Sequence, residues 1–262
     1  MDDADTRIAL SRLAVLLDNA HADEALDGFS ALCDGGVQIA CMEVEEISLL
    51  AAAPSDPADA RAYYAQACDA GQAPACTQLG IMLDSIEGGE RDLLGSRAAL
   101  VAACRGRHRE GCVRLAGQLY TGIGGPDDLE TARRLAGTAC SQGDARGCWA
   151  LGGFFDNENR HGEALVLFET ACNGGFERGC YTLFFRRGQI ASEEGRLGEA
   201  YENFASACDR DEGFRGWVCN MAADLALLTD NPNADPVLSQ AHRERACALN
   251  FTLACRTLED TP

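Results

Sequence analysis

Residues 62–80 read Ala62-Tyr63-Tyr64-Ala65-Gln66-Ala67-Cys68-Asp69-Ala70-Gly71-Gln72-Ala73-Pro74-Ala75-Cys76-Thr77-Gln78-Leu79-Gly80. An apolar-periodic helix closes on Ala67-Cys68, and Gly71 follows where a helix C-cap favours positive φ. A second helix opens at Cys76, with Leu79 three positions on and the small Gly80 next. Eight residues on one continuous α-helix span about 12 Å, at roughly 1.5 Å each. A disulfide needs its Cα atoms within about 7 Å. The chain must therefore turn between Cys68 and Cys76, and a bridge there fastens the end of one helix to the start of the next.

The same grammar extends in both directions. The fourteen cysteines fall into seven pairs: Cys33 with Cys41, Cys68 with Cys76, Cys104 with Cys112, Cys140 with Cys148, Cys172 with Cys180, Cys208 with Cys219 and Cys247 with Cys255. Within a pair the offset is 8, except for 11 in the sixth; successive first cysteines are 35, 36, 36, 32, 36 and 39 residues apart. Ala-Cys recurs at Ala103-Cys104, Ala139-Cys140, Ala171-Cys172, Ala207-Cys208 and Ala246-Cys247, and glycines follow again at Gly106, Gly143 and Gly174. Large apolar residues stand three past the second cysteine at Val44, Leu115, Leu151 and Leu183, with small residues next at Ala116, Gly152 and Ala223. Punctuation such as Pro54-Ser55-Asp56-Pro57 and Gly124-Gly125-Pro126-Asp127 separates the units. A period near 36 sustained along the chain marks a repeat array.

Buried free thiols and zinc sites are the alternatives for so many cysteines. Zinc favours CxxC or Cys/His clusters at metal spacing, whereas no CxxC occurs and the four histidines do not repeat with the cysteines. The expectation is seven sequential disulfides and no metal. Disulfides imply an oxidising, periplasmic or extracellular compartment. Met1-Asp2-Asp3-Ala4-Asp5 opens acidic, with neither a basic n-region nor an apolar h-region. Either an export signal has been removed, or the chain reaches its compartment by another route.

Charge excludes several functions. The net charge of −19 argues against nucleic-acid binding, which needs a cationic surface. All 22 basic residues are Arg. Without lysine, a P-loop, a Ser-x-x-Lys acylation site and a Schiff base are impossible. No stretch approaches the roughly 20 apolar residues of a membrane helix.

The helix ending in Ala-Cys, the offset of 8 and the later Leu-Gly together resemble the Sel1-like repeat, and more closely its cysteine-rich branch typified by the Helicobacter cysteine-rich proteins. A mitochondrial intermembrane-space assembly factor has similar repeats. The resemblance runs from about Ala22 to the last cysteine. It departs at Leu32 before Cys33, in the longer sixth loop, and at Phe184 in place of a small residue. It implies an all-α, right-handed solenoid of about seven antiparallel helix hairpins over 22–262, preceded by an N-terminal capping helix region over 1–21. It also implies an extracytoplasmic protein- or peptide-binding scaffold with a concave face and no cofactor. The alternatives are a penicillin-interacting enzyme with weak β-lactamase-type activity, as in some Helicobacter relatives, and a redox or cofactor-assembly factor.

Catalytic motifs such as GxSxG, HExxH and GxGxxG are missing from the sequence. Candidate partner contacts come from positions two and six after the second cysteine, one helical turn apart. They are Gln78 and Met82, Arg114 and Gln118, Ala150 and Phe154, and Thr182 and Arg186. A repeat groove presents matched, variable positions of this kind, although Met82 and Phe154 also suit a core. Trp149, Tyr181 and Trp217 are expected to pack against the disulfides. Arg105-Gly106-Arg107-His108-Arg109 is the densest positive patch, suited to a carboxylate through bidentate guanidinium contacts. The plainer reading makes it a solvated loop.

Overall fold

The structure is a computed structural model and describes residues 22–210, 216–228 and 230–259. The expected capping region, 1–21, lies outside the described residues. Among the described residues every regular element is an α-helix, fourteen in all, falling into two units, Met1–Asp127 and Asp128–Pro262. The first unit holds α1 (Ala22–Asp34), α2 (Gln38–Ala51), α3 (Pro57–Asp69), α4 (Ala73–Asp84), α5 (Leu93–Arg105) and α6 (Arg109–Thr121). The second holds α7 (Leu129–Ser141), α8 (Ala145–Asn157), α9 (His161–Asn173), α10 (Glu177–Glu193), α11 (Leu197–Asp209), α12 (Trp217–Leu225), α13 (Pro236–Ala248) and α14 (Thr252–Glu259). Consecutive helices pair as hairpins, and α2, α4 and α6, like α8 and α10, also touch across hairpins.

All seven expected disulfides are present, with Cα–Cα distances of 4.4–4.8 Å. In the first unit Cys33 is bonded to Cys41, Cys68 to Cys76 and Cys104 to Cys112. In the second Cys140 is bonded to Cys148, Cys172 to Cys180, Cys208 to Cys219 and Cys247 to Cys255. Each bridge joins the two helices of one hairpin, as the spacing requires. The turn explains why the usual offset is 8. Three residues after the first cysteine the backbone is left-handed: Gly36, Gly71, Arg107, Gly143, Gly175 and Asn250 have φ between 62° and 90°. At the second junction Gly71 N–H donates to the Cys68 carbonyl and Gln72 N–H to the Ala67 carbonyl, the two bonds of a Schellman motif. Gln72 is at once the N-cap of α4, so no loop intervenes, and its carbonyl accepts from the Cys76 N–H. Counting through this motif places the second cysteine eight residues after the first.

Two glycine expectations need correction. Gly106 and Gly174 have φ of −74° and −78°, because two residues past the cysteine the chain is still right-handed; the left-handed site is one residue later, at Arg107 and Gly175. These two glycines serve proximity instead. A Cβ on Gly106 would stand 2.5 Å from the Ala73 Cβ, and one on Gly174 2.9 Å from that of Ala145.

The core follows the same register. Eight residues before each first cysteine stands a buried small residue: Ala25, Ala60, Ser96, Ala132, Ala164, Ala200 and Ser239. Four before it, Phe29, Tyr64, Leu100, Phe168 and Phe204 are buried as well. The glycines on the preceding helix receive them: a Cβ on Gly80 would meet Leu100, and one on Gly152 would meet Phe168, each at 2.8 Å. In the fifth hairpin Phe184 occupies the small-residue position, and the close approach moves one turn along to Gly188 against Phe204. There α10 runs to 17 residues, against 13 in α8.

Aspartates start most first helices. Asp56, Asp92, Asp128 and Asp235 accept backbone N–H bonds as N-caps of α3, α5, α7 and α13. The Thr131 amide holds the Asp128 carboxyl below its ordinary value. Seven intramolecular disulfides suit an oxidising, extracytoplasmic environment. No helix among the described residues is long and apolar enough to cross a membrane.

Candidate functional site on the second helices

The candidate contacts separate by burial. In the N-terminal unit Gln78 and Met82 on α4 are half-buried, Met82 against the Leu49 and Tyr64 cluster. Arg114 is exposed on α6 and pairs at 2.6 Å with Glu110, one turn earlier. Gln118 is buried; its amide donates to Ser96 Oγ at 2.8 Å, and Ser96 donates to the Gly80 carbonyl at 2.7 Å. Gln118 thus joins α6 to α5 rather than facing a partner.

In the C-terminal unit Ala150 and Phe154 are buried in packing. Thr182 on α10 accepts the Trp149 indole N–H at 2.9 Å and donates to the Arg178 carbonyl. Arg186 forms an ion pair with Asp156 of α8 and donates to Gln189 at 2.7 Å. The other oxygen of Asp156 meets His161 Nδ1 at 2.8 Å. These polar groups rim a pocket whose walls are Leu165, Phe168 and Ile190. Asp156, His161, Gln189 and Glu193 were not read from the sequence, because they come from helix ends outside the two matched positions. The signal was the −4 rule of the cores: Phe168 stands four before Cys172 and floors the pocket.

The three aromatics expected beside the disulfides make ring-to-ring contacts. Trp149 meets Phe176 edge-on at 5.8 Å, while Tyr181 and Trp217 both pack on Phe185, at 6.2 and 5.0 Å. The Arg105–Arg109 segment is solvated in part: Arg105, Gly106 and Arg107 are exposed, and His108 is not. His108, the fourth residue of the segment, is buried, with Nδ1 2.7 Å from Thr77 Oγ1 and Nε2 3.2 Å from Glu46 Oε2. It also caps α6 by accepting from the Gly111 N–H. One side chain therefore ties α2, α4 and α6 together. The ring order Thr–His–Glu has the look of a hydrolytic relay, but Thr77 is fully buried and has no access to a substrate.

A search of family models finds no match, and no curated protein matches. Solved structures do. A Sel1 repeat protein from Oxalobacter formigenes superposes with a TM-score of 0.61 at 14% identity, over 91% of this chain and 96% of that one. A protective antigen of uropathogenic Escherichia coli with an SLR fold gives 0.52 at 18% identity, over 88% of this chain. The fold is that of the Sel1-like repeat. This chain spans 58% of the length of the E. coli antigen. The Sel1-like fold accounts for the two alternating helix positions, and the disulfides lock each Sel1-like hairpin at its turn.

Proposed function

We propose that this chain is an extracytoplasmic scaffold that holds a protein or peptide partner along the second helices of its hairpins. The contacts would be Gln78, Met82 and Arg114 in the N-terminal unit and Thr182 and Arg186 in the C-terminal one. Gln118 would support the first set of contacts within its own unit, and Phe154 the second within its own. Helical repeats bind through side chains presented in register from successive units.

The observation that carries the reading is the pocket beside Arg186. Its apolar walls, Leu165, Phe168 and Ile190, and its rim of Arg186, His161 and Glu193 suit a side chain with an apolar stem and a polar end. His161 is half exposed, and its Nε2 is directed by the Nδ1 contact to Asp156.

The test is affinity capture from an extracytoplasmic fraction with oxidised protein, repeated with Arg114→Glu/Arg186→Gln. Glutamine at 186 avoids placing a second carboxylate beside Asp156. Capture of the identified partner should fall about tenfold or more, as for loss of two interface arginines, while the melting temperature moves by no more than about 3 °C. Undiminished capture with a normal melt removes this face.

A further inference from the structure

We infer that the turn carrying Arg105, Arg107 and Arg109 is a binding site for an acidic peptide segment, separate from the second-helix face and independent of it. Five residues here hold three of the chain's 22 arginines. Elsewhere arginines are repeatedly taken up by this acidic chain's own carboxylates, as in Arg91–Asp84, Arg114–Glu110, Arg133–Glu158 and Arg187–Glu169. Among the described residues, Arg105, Arg107 and Arg109 have neither an ion pair nor a hydrogen bond from the guanidinium. Arg105 and Arg107 are exposed and Arg109 is half-buried.

Two further features set this turn apart. Arg107 occupies the left-handed site, φ 63°, that glycine fills at 36, 71, 143 and 175. A Cβ there is unfavourable, and the Schellman turn itself asks for no side chain. The junction thus trades local stability for a cation. The backbone beneath is also held fast. His108 is anchored to Thr77 and Glu46, and Gly106 lies so close on Ala73 that a Cβ would collide. Two exposed arginines and a half-buried third thus stand on one turn whose backbone is fixed, which lowers the entropy cost of fastening a ligand.

Guanidinium groups match carboxylates bidentately. Long polyanions and anionic bilayers extend far beyond the turn and meet the repulsion of a chain carrying −19. A short acidic peptide presents its few charges locally and escapes most of it. That favours the peptide over nucleic acid or lipid.

The experiment titrates oxidised protein with an octapeptide containing four glutamates at low salt, beside its glutamine counterpart, a single-stranded oligonucleotide and phosphatidylglycerol vesicles. The glutamate peptide should bind at least about tenfold more tightly than the glutamine one, and weaken as salt rises. The triple variant Arg105→Ser/Arg107→Gly/Arg109→Ser should lose about tenfold or more of that affinity. Arg107→Gly alone should weaken binding about threefold and raise the melting temperature by about 2–4 °C. A structural role for Arg107 gives the opposite shift in melting. Equal peptide affinity in the triple variant, no preference for glutamate, a lowered melt in Arg107→Gly, or oligonucleotide or vesicle binding as tight as the peptide's would each overturn the assignment.

Discussion

Between α2, α4, α5 and α6 the contacts that cross from hairpin to hairpin include buried or partly buried polar ones, Glu46–His108–Thr77 and Ser96–Gly80, the latter extended within its hairpin by Gln118. Between α8, α10, α11 and α12 polar contacts also cross, Trp149–Thr182 and Arg186–Asp156, but rings are added to them: Trp149 on Phe176, Tyr181 and Trp217 on Phe185, and Phe185 on Phe204. The two units share one backbone grammar, the Schellman junction with its disulfide, and differ in how much aromatic packing accompanies the polar contacts between repeats. Directional bonds fix register at modest net gain, because each replaces a bond to water. Rings contribute mainly by burial. The difference shows that the junction sets the fold and leaves the inter-repeat filling free to vary.

Removing the shared element should have the largest effect. A short closed loop contributes roughly 2–3 kcal/mol in the chain-entropy model, and neighbouring hairpins cooperate. Full reduction should therefore lower the melting temperature by about 20 °C or more. Thiol labelling of the denatured, unreduced protein should find nothing, since every described cysteine is bridged. A shift under about 5 °C would show that packing, not the junction, holds both units.

Next comes the aromatic filling. Phe204 is fully buried, with its ring against the Gly188 backbone and Phe185. Phe204→Ala should cost about 3–5 kcal/mol, seen as a lower melt and faster amide exchange in α10–α12. A cost below about 1 kcal/mol would mean that the site collapses around the smaller side chain.

The polar filling should respond less. His108→Ala takes the imidazole from Glu46, leaves Thr77 only its 3.4 Å contact to the Ala73 carbonyl and removes the α6 cap, at about 2 kcal/mol. His108→Asn should recover part of this, because asparagine still caps the helix. If His108→Ala cost as much as Phe204→Ala, the contrast between the units would fail.

Much of the fold was legible because its rules are local. The period, the pairing and the turn between Cys68 and Cys76 follow from spacing and the reach of a disulfide. Even the longer offset from Cys208 to Cys219 kept its partner, because the neighbouring cysteines were already claimed by their own turns. The left-handed site was misassigned at Gly106 and Gly174 because glycine serves both φ freedom and close approach, and composition alone does not separate the two. The candidate site was less legible. Positions two and six share a helix side, but whether Gln118 or Arg114 faces solvent depends on Ser96, one hairpin-half away. His108 was read within a charged run, and its burial depends on Glu46, 62 residues earlier in the chain.

The smallest effect belongs to a polar contact within the aromatic unit. His242 on α13 is half-buried, with Nε2 3.3 Å from Tyr201 Oη and the ring edge-on to Tyr201 at 5.8 Å. Burial pushes its pKa below the usual 6.5; nearby Asp209 opposes that shift and Arg245 adds to it. A histidine whose folded pKa is depressed binds its proton more readily in the unfolded chain. Above the unfolded value both states are neutral and His242 brings no penalty. As the pH falls below about 6.5 toward the folded value, stability is lost progressively, and the loss levels off once both states are protonated. Carboxylates also titrate toward acid, so the informative quantity is the difference between wild type and His242→Gln, which does not titrate. The melting temperature of wild type should fall faster than that of the variant between pH 7 and pH 5, by a few degrees at most. Parallel curves would mean that the imidazole is solvated as well in the folded unit as in the unfolded chain. The edge-on contact to Tyr201 would then add packing without excluding water, and even the aromatic unit would be wet at its C-terminal hairpins.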